Sequence, residues 1–374
     1  METYRLSSKL REKNREYLIQ TANDTVLGTV STSVYADGVP TETTNRPHPT
    51  EISPQQVLSV VKMTHGEKRS ELEALLKAHN EFSVKGDFNS MHQLGMAFFF
   101  KRLYLESIEL FREVLALKPE HHQALNQLGV AYLAAGKFDA AIKACRQAVA
   151  HRPEYADYRN NLGEAYLASS LASEALSEFE KAISINMYYG DAYLNLGLAS
   201  LLDAVNDPVR EKTPGLIKQA IECFNRAALI HPEHKLRSEF EEGLAALEES
   251  DMARAINCFK ALREGKKEGH RQEFAALYMK FVLHPEWITE QAVGDRITFL
   301  VEELRKNPSY VDLQAELAQC YLEQARILWR KGTDQYKKTC ESNASLASAR
   351  ESLTIAERVQ TGIEEALNLI SGKG

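Results

Sequence analysis

The sequence has no CxxC pair, and its five cysteines, Cys145, Cys223, Cys258, Cys320 and Cys340, make an odd total. That argues against a disulfide framework or a structural zinc site and favours reduced thiols in a cytoplasmic setting. No apolar run approaches the ~18 residues of a membrane helix, and "METYRLSSKLREKNREYL" at the start has no apolar core, so neither a membrane span nor a secretory signal is expected. Basic excess is missing too: 45 Lys and Arg stand against 52 Asp and Glu, a formal charge of −7, which disfavours nucleic acid as a partner.

Catalytic signatures are equally scarce. "EGKKEG" at Glu264–Gly269 lacks the spacing and the Ser or Thr of a phosphate loop, and no GxSxG or HExxH occurs. His121, His122, His151, His231 and His234 gather in "KPEHH", "HRPE" and "HPEH" at unit ends, where solvated junctions are a simpler account than a metal site. Cys145, Cys223 and Cys258 lie among apolar residues and are expected as core thiols rather than nucleophiles. We therefore expect no enzyme, no cofactor and no metal. Charge runs such as "KLREKNRE" and "GEKRSELE" are expected as solvated helix faces.

What the sequence does contain is a period. "HQLGMAFFF", "NQLGVAYLAA", "NNLGEAYLAS" and "LNLGLASLL" place glycines at 95, 129, 163 and 197, each 34 after the last. Leu94, Leu128, Leu162 and Leu196 precede them, and Phe98, Tyr132 and Tyr166 follow three residues on. A second half repeats as well: Ser107, Phe111 and Val114 answer to Ala141, Cys145 and Ala148, then to Ala175, Phe179 and Ala182. Apolar residues recur at helical spacing in both halves, Gly136-Lys137 breaks between them, and Pro119 and Pro153 close units. Two antiparallel helices per unit follow, and no unit buries its apolar face alone, so neighbours must stack.

On these residues the chain resembles the tetratricopeptide repeat family. The resemblance implies a mainly α fold, a right-handed α-solenoid of helix hairpins. Units are expected at 88–121, 122–155, 156–189 and 190–234, the fourth interrupted by "DAVNDPVREKTPG". A degenerate unit follows at 236–269, keeping Gly243, Ala255 and Phe259. The region 270–374 should be helical, with Tyr310–Ala325 resembling a first helix and "NASLASARESLTIAE" its partner after a long insert.

The resemblance also implies that first helices line a concave groove for segments of partner proteins. Candidate groove residues are Gln93, Met96, Phe99 and Phe100, then Asn126, Gln127, Val130 and Leu133, then Asn160, Asn161 and Glu164, and last Asn195 and Leu198. The amides Gln93, Gln127, Asn161 and Asn195 each precede the repeated Leu-Gly. A side-chain amide donates and accepts, so these four can form a ladder along an extended backbone. The alternative is that they bond locally. Four such bonds at ~0.5–1.5 kcal/mol each fall short of the ~8 kcal/mol of micromolar binding, so apolar contacts must supply the rest. A charge clamp for acidic chaperone tails is disfavoured, because Asp157 has the wrong sign.

Residues 17–48 change character: Val26, Val30, Thr32, Val34 and Tyr35 favour strand and Asp37-Gly38 a turn. A small β hairpin or three-stranded meander within 1–53 is expected, docked on helices because it is marginal alone. It either caps the first repeat or serves self-association or partner binding through its strand edge. Ser53-Pro54-Gln55-Gln56 opens a connecting helix over 54–87 with a capping box. The function expected is a non-catalytic adaptor or scaffold binding a protein or peptide, with homo-oligomerisation open. The alternative is an accessory or chaperone subunit of a larger enzyme, secretion or motility complex.

Overall fold

The computed structural model describes residues 3–49, 52–206, 215–269, 290–306, 311–342 and 347–370. The chain folds as two units, the first running to Pro119 and the second taking Glu120–Gly269 and the helices from Glu290 onward.

In the first unit, β1 (Arg5–Glu12), β2 (Arg15–Asp24), β3 (Thr29–Ala36) and β4 (Val39–Pro47) form an antiparallel meander in chain order. The sheet thus has one more strand than the sequence suggests. The run "KLREKNRE" is no helix face: it is the end of β1, a turn at Lys13 with φ 52°, and the start of β2. Its charges have period two, with Arg5, Lys9 and Arg11 exposed while Leu6, Ser8 and Leu10 are half-buried. Asp37 (φ 49°) and Gly38 (φ 83°) make the tight β3–β4 turn, both in the left-handed region that such turns require.

The sheet rests on α1 (Pro54–Lys85) through Val30, Val57 and Val61. Gln56 N–H donates to Ser53 Oγ at 3.3 Å and Ser53 N–H to Gln56 Oε1 at 2.8 Å, so the expected capping box forms. The hairpin of α2 (Phe88–Phe100) and α3 (Tyr104–Leu117) completes the unit. Tyr17 Oη donates to buried Glu106 at 2.6 Å, and Arg15 bridges Glu106 at 2.7 Å and Glu109 at 2.6 Å. Glu42 of β4 pairs with Lys68 of α1 and with Lys101 at the end of α2, both at 3.2 Å. Lys101 also bonds Glu71. Lys68 and Glu71 belong to "GEKRSELE", so that run is partly sequestered by the sheet rather than wholly solvated.

The second unit is a series of hairpins. Its pairs are α4 (His122–Ala134) with α5 (Phe138–His151), α6 (Ala156–Ala168) with α7 (Ala172–Ile185), α8 (Gly190–Asn206) with α9 (Leu216–Ile230), and α10 (Ser238–Glu248) with α11 (Met252–Gly269). The helical period comes from one close approach per hairpin. A methyl group on Gly163 would sit 2.5 Å from a Phe179 ring carbon, and on Gly197 or Gly243 it would sit 2.7 Å from Phe224 or 2.8 Å from Phe259. Gly95 in the first unit meets Phe111 in the same way, at 2.8 Å. At Gly129 the neighbour is Cys145, through its Sγ and, at 3.2 Å, its backbone nitrogen. The rings of Phe224 and Phe259 stack at 3.5 Å and 11°, so neighbouring hairpins share one core.

Inside the hairpins a left-handed residue turns the chain: Arg102, Gly136, Ser170 and Ser250, with φ between 59° and 71°. The next N–H then caps the first helix, as Leu103 does to Phe98 O at 2.9 Å and Leu171 to Tyr166 O at 2.9 Å. Most of the fourth unit's insert lies outside the described residues. In the C-terminal region α12 (Glu290–Lys306) packs on α13 (Val311–Ser342), and α13 on α14 (Ala347–Ile370). Where a long insert is expected between the two C-terminal helices, "ILWRKGTDQYKKTCES" keeps helical spacing and extends α13 to 32 residues.

Two outcomes test these packing statements. Gly163→Ala gains helix propensity but overpacks against Phe179, and a net loss of roughly 1–2 kcal/mol is expected by chemical denaturation. Phe179→Leu in that background should cost less than in the wild type, because the pair is coupled. Separately, burial opposes the charged form of Glu42, yet Lys101 and Lys68 hold its carboxyl below the ordinary value. A depressed folded-state pKa contributes stability above the unfolded value and loses it as pH falls through the folded one. The melting-temperature gap between wild type and Glu42→Gln should therefore be full at pH 7 and shrink below the ordinary carboxylate pKa of 4.5; a gap constant with pH would refute it.

Candidate functional site

Two stretches of first-helix surface hold the candidate groove residues, one in each unit. In the first, Gln93 is exposed and Phe99 and Phe100 are half-buried. The Phe99 ring meets Phe100 at 5.4 Å edge-on and Tyr104 at 5.7 Å in a tilted geometry. Met96, by contrast, is 7% exposed and belongs to the packing.

In the second unit α4, α6 and α8 lie side by side, and their amides join across the repeats. Asn161 Nδ2 donates to Asn126 Oδ1 at 3.0 Å, and Asn195 Nδ2 to Asn160 Oδ1 at 3.0 Å. Glu164 Oε1 accepts from Asn195 at 3.2 Å and from Asn160 at 3.4 Å. Asn126, Asn160 and Asn195 are 2%, 3% and 1% exposed, so their amides serve one another rather than a visitor. This follows from register: each bond spans 35 residues, one period plus one, linking a first helix to the next. The ladder reading of Asn161 and Asn195 thus gives way to local bonding, and Leu198, fully buried, belongs to the core. Gln127, Val130, Leu133, Asn161, Glu164 and Leu167 remain half-buried along this surface.

The histidines do not form solvated junctions throughout. His231 and His234 are 3% and 1% exposed, and His231 fills the space beside Gly190. His121 accepts from Ala124 N–H at 3.1 Å and so caps α4, while His122 bonds Tyr158 Oη at 2.8 Å within an aromatic set with Tyr155. Among the described residues no group of three His, Cys, Asp or Glu is placed to hold a metal ion. Burial pushes the Cys145 thiol up to about 12 and the Cys223 thiol to about 11, so neither is a thiolate at neutral pH. No described helix is long and apolar enough to cross a membrane.

Residues 92–153 and 127–190 match the tetratricopeptide repeat family. No curated protein matches the chain. Among solved structures it is similar to MamA, with 24% identity over 51% of this chain and 95% of that one, at a TM-score of 0.33. It is also similar to a mutant O-GlcNAc transferase of Thermobaculum terrenum, with 25% identity over 42% of this chain and 26% of that one, at a TM-score of 0.29.

The amide bonds make a measurable prediction. Asn195→Leu leaves Asn160 Oδ1 buried without its donor and should cost roughly 1–3 kcal/mol in chemical denaturation. Gln127→Leu, on the half-buried surface, should fall within about 0.5 kcal/mol of wild type in the same measurement.

Proposed function

We propose that this chain, whose residues 92–190 are tetratricopeptide repeats, is a non-catalytic interaction scaffold that receives an extended segment of a partner protein along its first helices. The supporting observation is the pairing of the buried amides. Because Asn126, Asn160 and Asn195 fix the helices to one another, the neighbouring row of Gln127, Val130, Leu133, Asn161, Glu164 and Leu167 is held in place before any partner arrives. A preorganised surface spends less of its contact energy on ordering.

The chemistry of that row selects the kind of segment. Val130, Leu133 and Leu167 offer apolar contact. Glu164 carries a carboxylate, and no Lys or Arg stands in the row. A segment with apolar side chains and a neutral or basic flank suits it, and an acidic tail does not. Gln93, Phe99 and Phe100 of the first unit offer further surface of the same kind. Asn126, Asn160, Asn195 and Leu198 are buried beneath this row.

Affinity capture with defined stoichiometry tests this. Val130→Glu should lower partner affinity at least tenfold, about 1.4 kcal/mol, while the protein still melts in a single cooperative transition. A folded variant that holds the same partners equally well refutes the groove. Several clients bound loosely fit an adaptor, whereas one partner held at fixed ratio fits an accessory subunit of a larger complex.

A further inference from the structure

The C-terminal helix α13 carries an apolar face that its own chain covers only in part: Trp329 Nε1 donates to Ala356 O of α14 at 3.0 Å, and the rest of the ring stays exposed. Leu322, Ala325, Trp329, Gly332, Tyr336 and Thr339 recur at alternating intervals of three and four, the 3.5-residue period of a helix seam. Leu322, Trp329 and Tyr336 are 40%, 40% and 42% exposed. The flanking Tyr321 and Leu328 are 49% exposed each. No charged residue occupies these seam positions from Ala318 to Thr339 or the flanking row of Tyr321, Leu328 and Gln335. Arg330, Lys331, Asp334, Lys337 and Lys338 all fall on other faces. The opposite side of α13 is already used, with Cys320 and Ile327 packed on Val293 and Leu300 of α12.

Gly332 stands at the middle of this seam. The glycines of the hairpins sit where a Cβ would strike a neighbouring side chain, but a Cβ on Gly332 meets nothing within 4 Å. A glycine in the interior of a helix costs about 1 kcal/mol relative to Ala. Gly66, Gly294 and Gly362 are equally open, so the open space alone singles out no position; what sets Gly332 apart is that it lies in the seam between Trp329 and Tyr336.

The order of sizes identifies the neighbour. Large residues (Leu322, Trp329, Tyr336) alternate with small or short ones (Ala325, Gly332, Thr339). A parallel copy would set large against large and leave gaps at the small layers. An antiparallel copy centred between Arg330 and Lys331 sets Trp329 over Gly332 of the second chain, Tyr336 over Ala325, and Leu322 over Thr339. Every large side chain then meets a small one, and two-fold symmetry makes each contact occur twice. The exposed part of the three aromatic rings, with Leu322, Leu328 and the neighbouring Ile355 and Val359 of α14, offers about 400 Å² of apolar surface. A standard interface of about 800 Å² per partner contains about 450 Å² of apolar area, so the supply is of the right size.

We infer that the chain forms a homodimer through an antiparallel pairing of α13 with α13 of a second copy, with Trp329 seated on Gly332 of that copy. This surface is separate from the first-helix row, so either proposal can fail alone. Light scattering on the full chain at about 50 μM should give twice the chain mass. Gly332→Leu, which the isolated fold has room for, should restore the single-chain mass at unchanged helical circular dichroism, a loss of at least a hundredfold in dimer affinity. Under mild oxidation, Ala325→Cys alone should cross-link no more than wild type. Ala325→Cys with Tyr336→Cys should give a disulfide-linked dimer, since those positions lie roughly 16 Å apart within one helix and cannot close on themselves. A monomeric wild type, a Gly332→Leu protein that stays dimeric, or cross-linking by Ala325→Cys alone each overturns the proposal.

Discussion

A missing Cβ governs the repeats of this protein. In each hairpin the first helix presents a glycine and the second inserts a side chain, an aromatic ring at four places and Cys145 at one, into the space a methyl group would have taken. The interaction is steric before it is attractive, because it sets how near two helix backbones come. Dispersion and apolar burial then act at that distance. Where the inserted group is Cys145, its Sγ takes the place of the ring and Cys145 N lies 3.2 Å from the hypothetical Cβ of Gly129, so the site stays filled.

Uniform hairpins would let neighbours slide, and polar bonds are what pin them. Asn161 to Asn126 and Asn195 to Asn160 are specific in distance and direction, whereas apolar contact tolerates displacement. The same residue types that could read a partner's backbone are here committed to registering one helix against the next. A consequence for recognition is that the exposed half of the surface is mostly apolar and acidic. Within the row of the second unit, amide donors remain at Gln127 and at the second N–H of Asn161. Selectivity for a segment would therefore rest on shape and charge sign more than on a ladder of amides.

The period of 34, the capping box at Ser53 and the Asp37-Gly38 turn were all legible from residue types, since each depends on chemistry local to a few positions. What was not legible depends on which residues meet. The alternation of Arg5, Leu6, Ser7, Ser8, Lys9 and Leu10 marks a strand, but the charges can also be counted at helical intervals. The sheet and α1 decide between the two by burying only Leu6, Ser8 and Leu10 in part. Asn195 reads as a groove amide until the neighbouring helix places Asn160 Oδ1 within 3.0 Å. Likewise, Met96 and Leu198 share the helical stripe of the groove residues, and only the packed core separates buried from half-buried members.

The glycine rule is also informative where it is broken. Gly163 and Gly332 both lie inside helices, and neither position has φ in the left-handed region, so backbone strain explains neither. Gly163 is explained by Phe179. Gly332 has no such neighbour, yet it stands in a seam with Trp329 and Tyr336 whose period is 3.5 rather than that of the hairpins. A helix that keeps that period over several turns is shaped to wrap against another helix, and α13 is long enough, at 32 residues, to do so beyond its contacts with α12 and α14. The two glycines thus stand in different settings: Gly163 is kept small by a ring within the chain, whereas Gly332 is open, as Gly66, Gly294 and Gly362 are, and differs from those three in lying between the exposed rings of Trp329 and Tyr336.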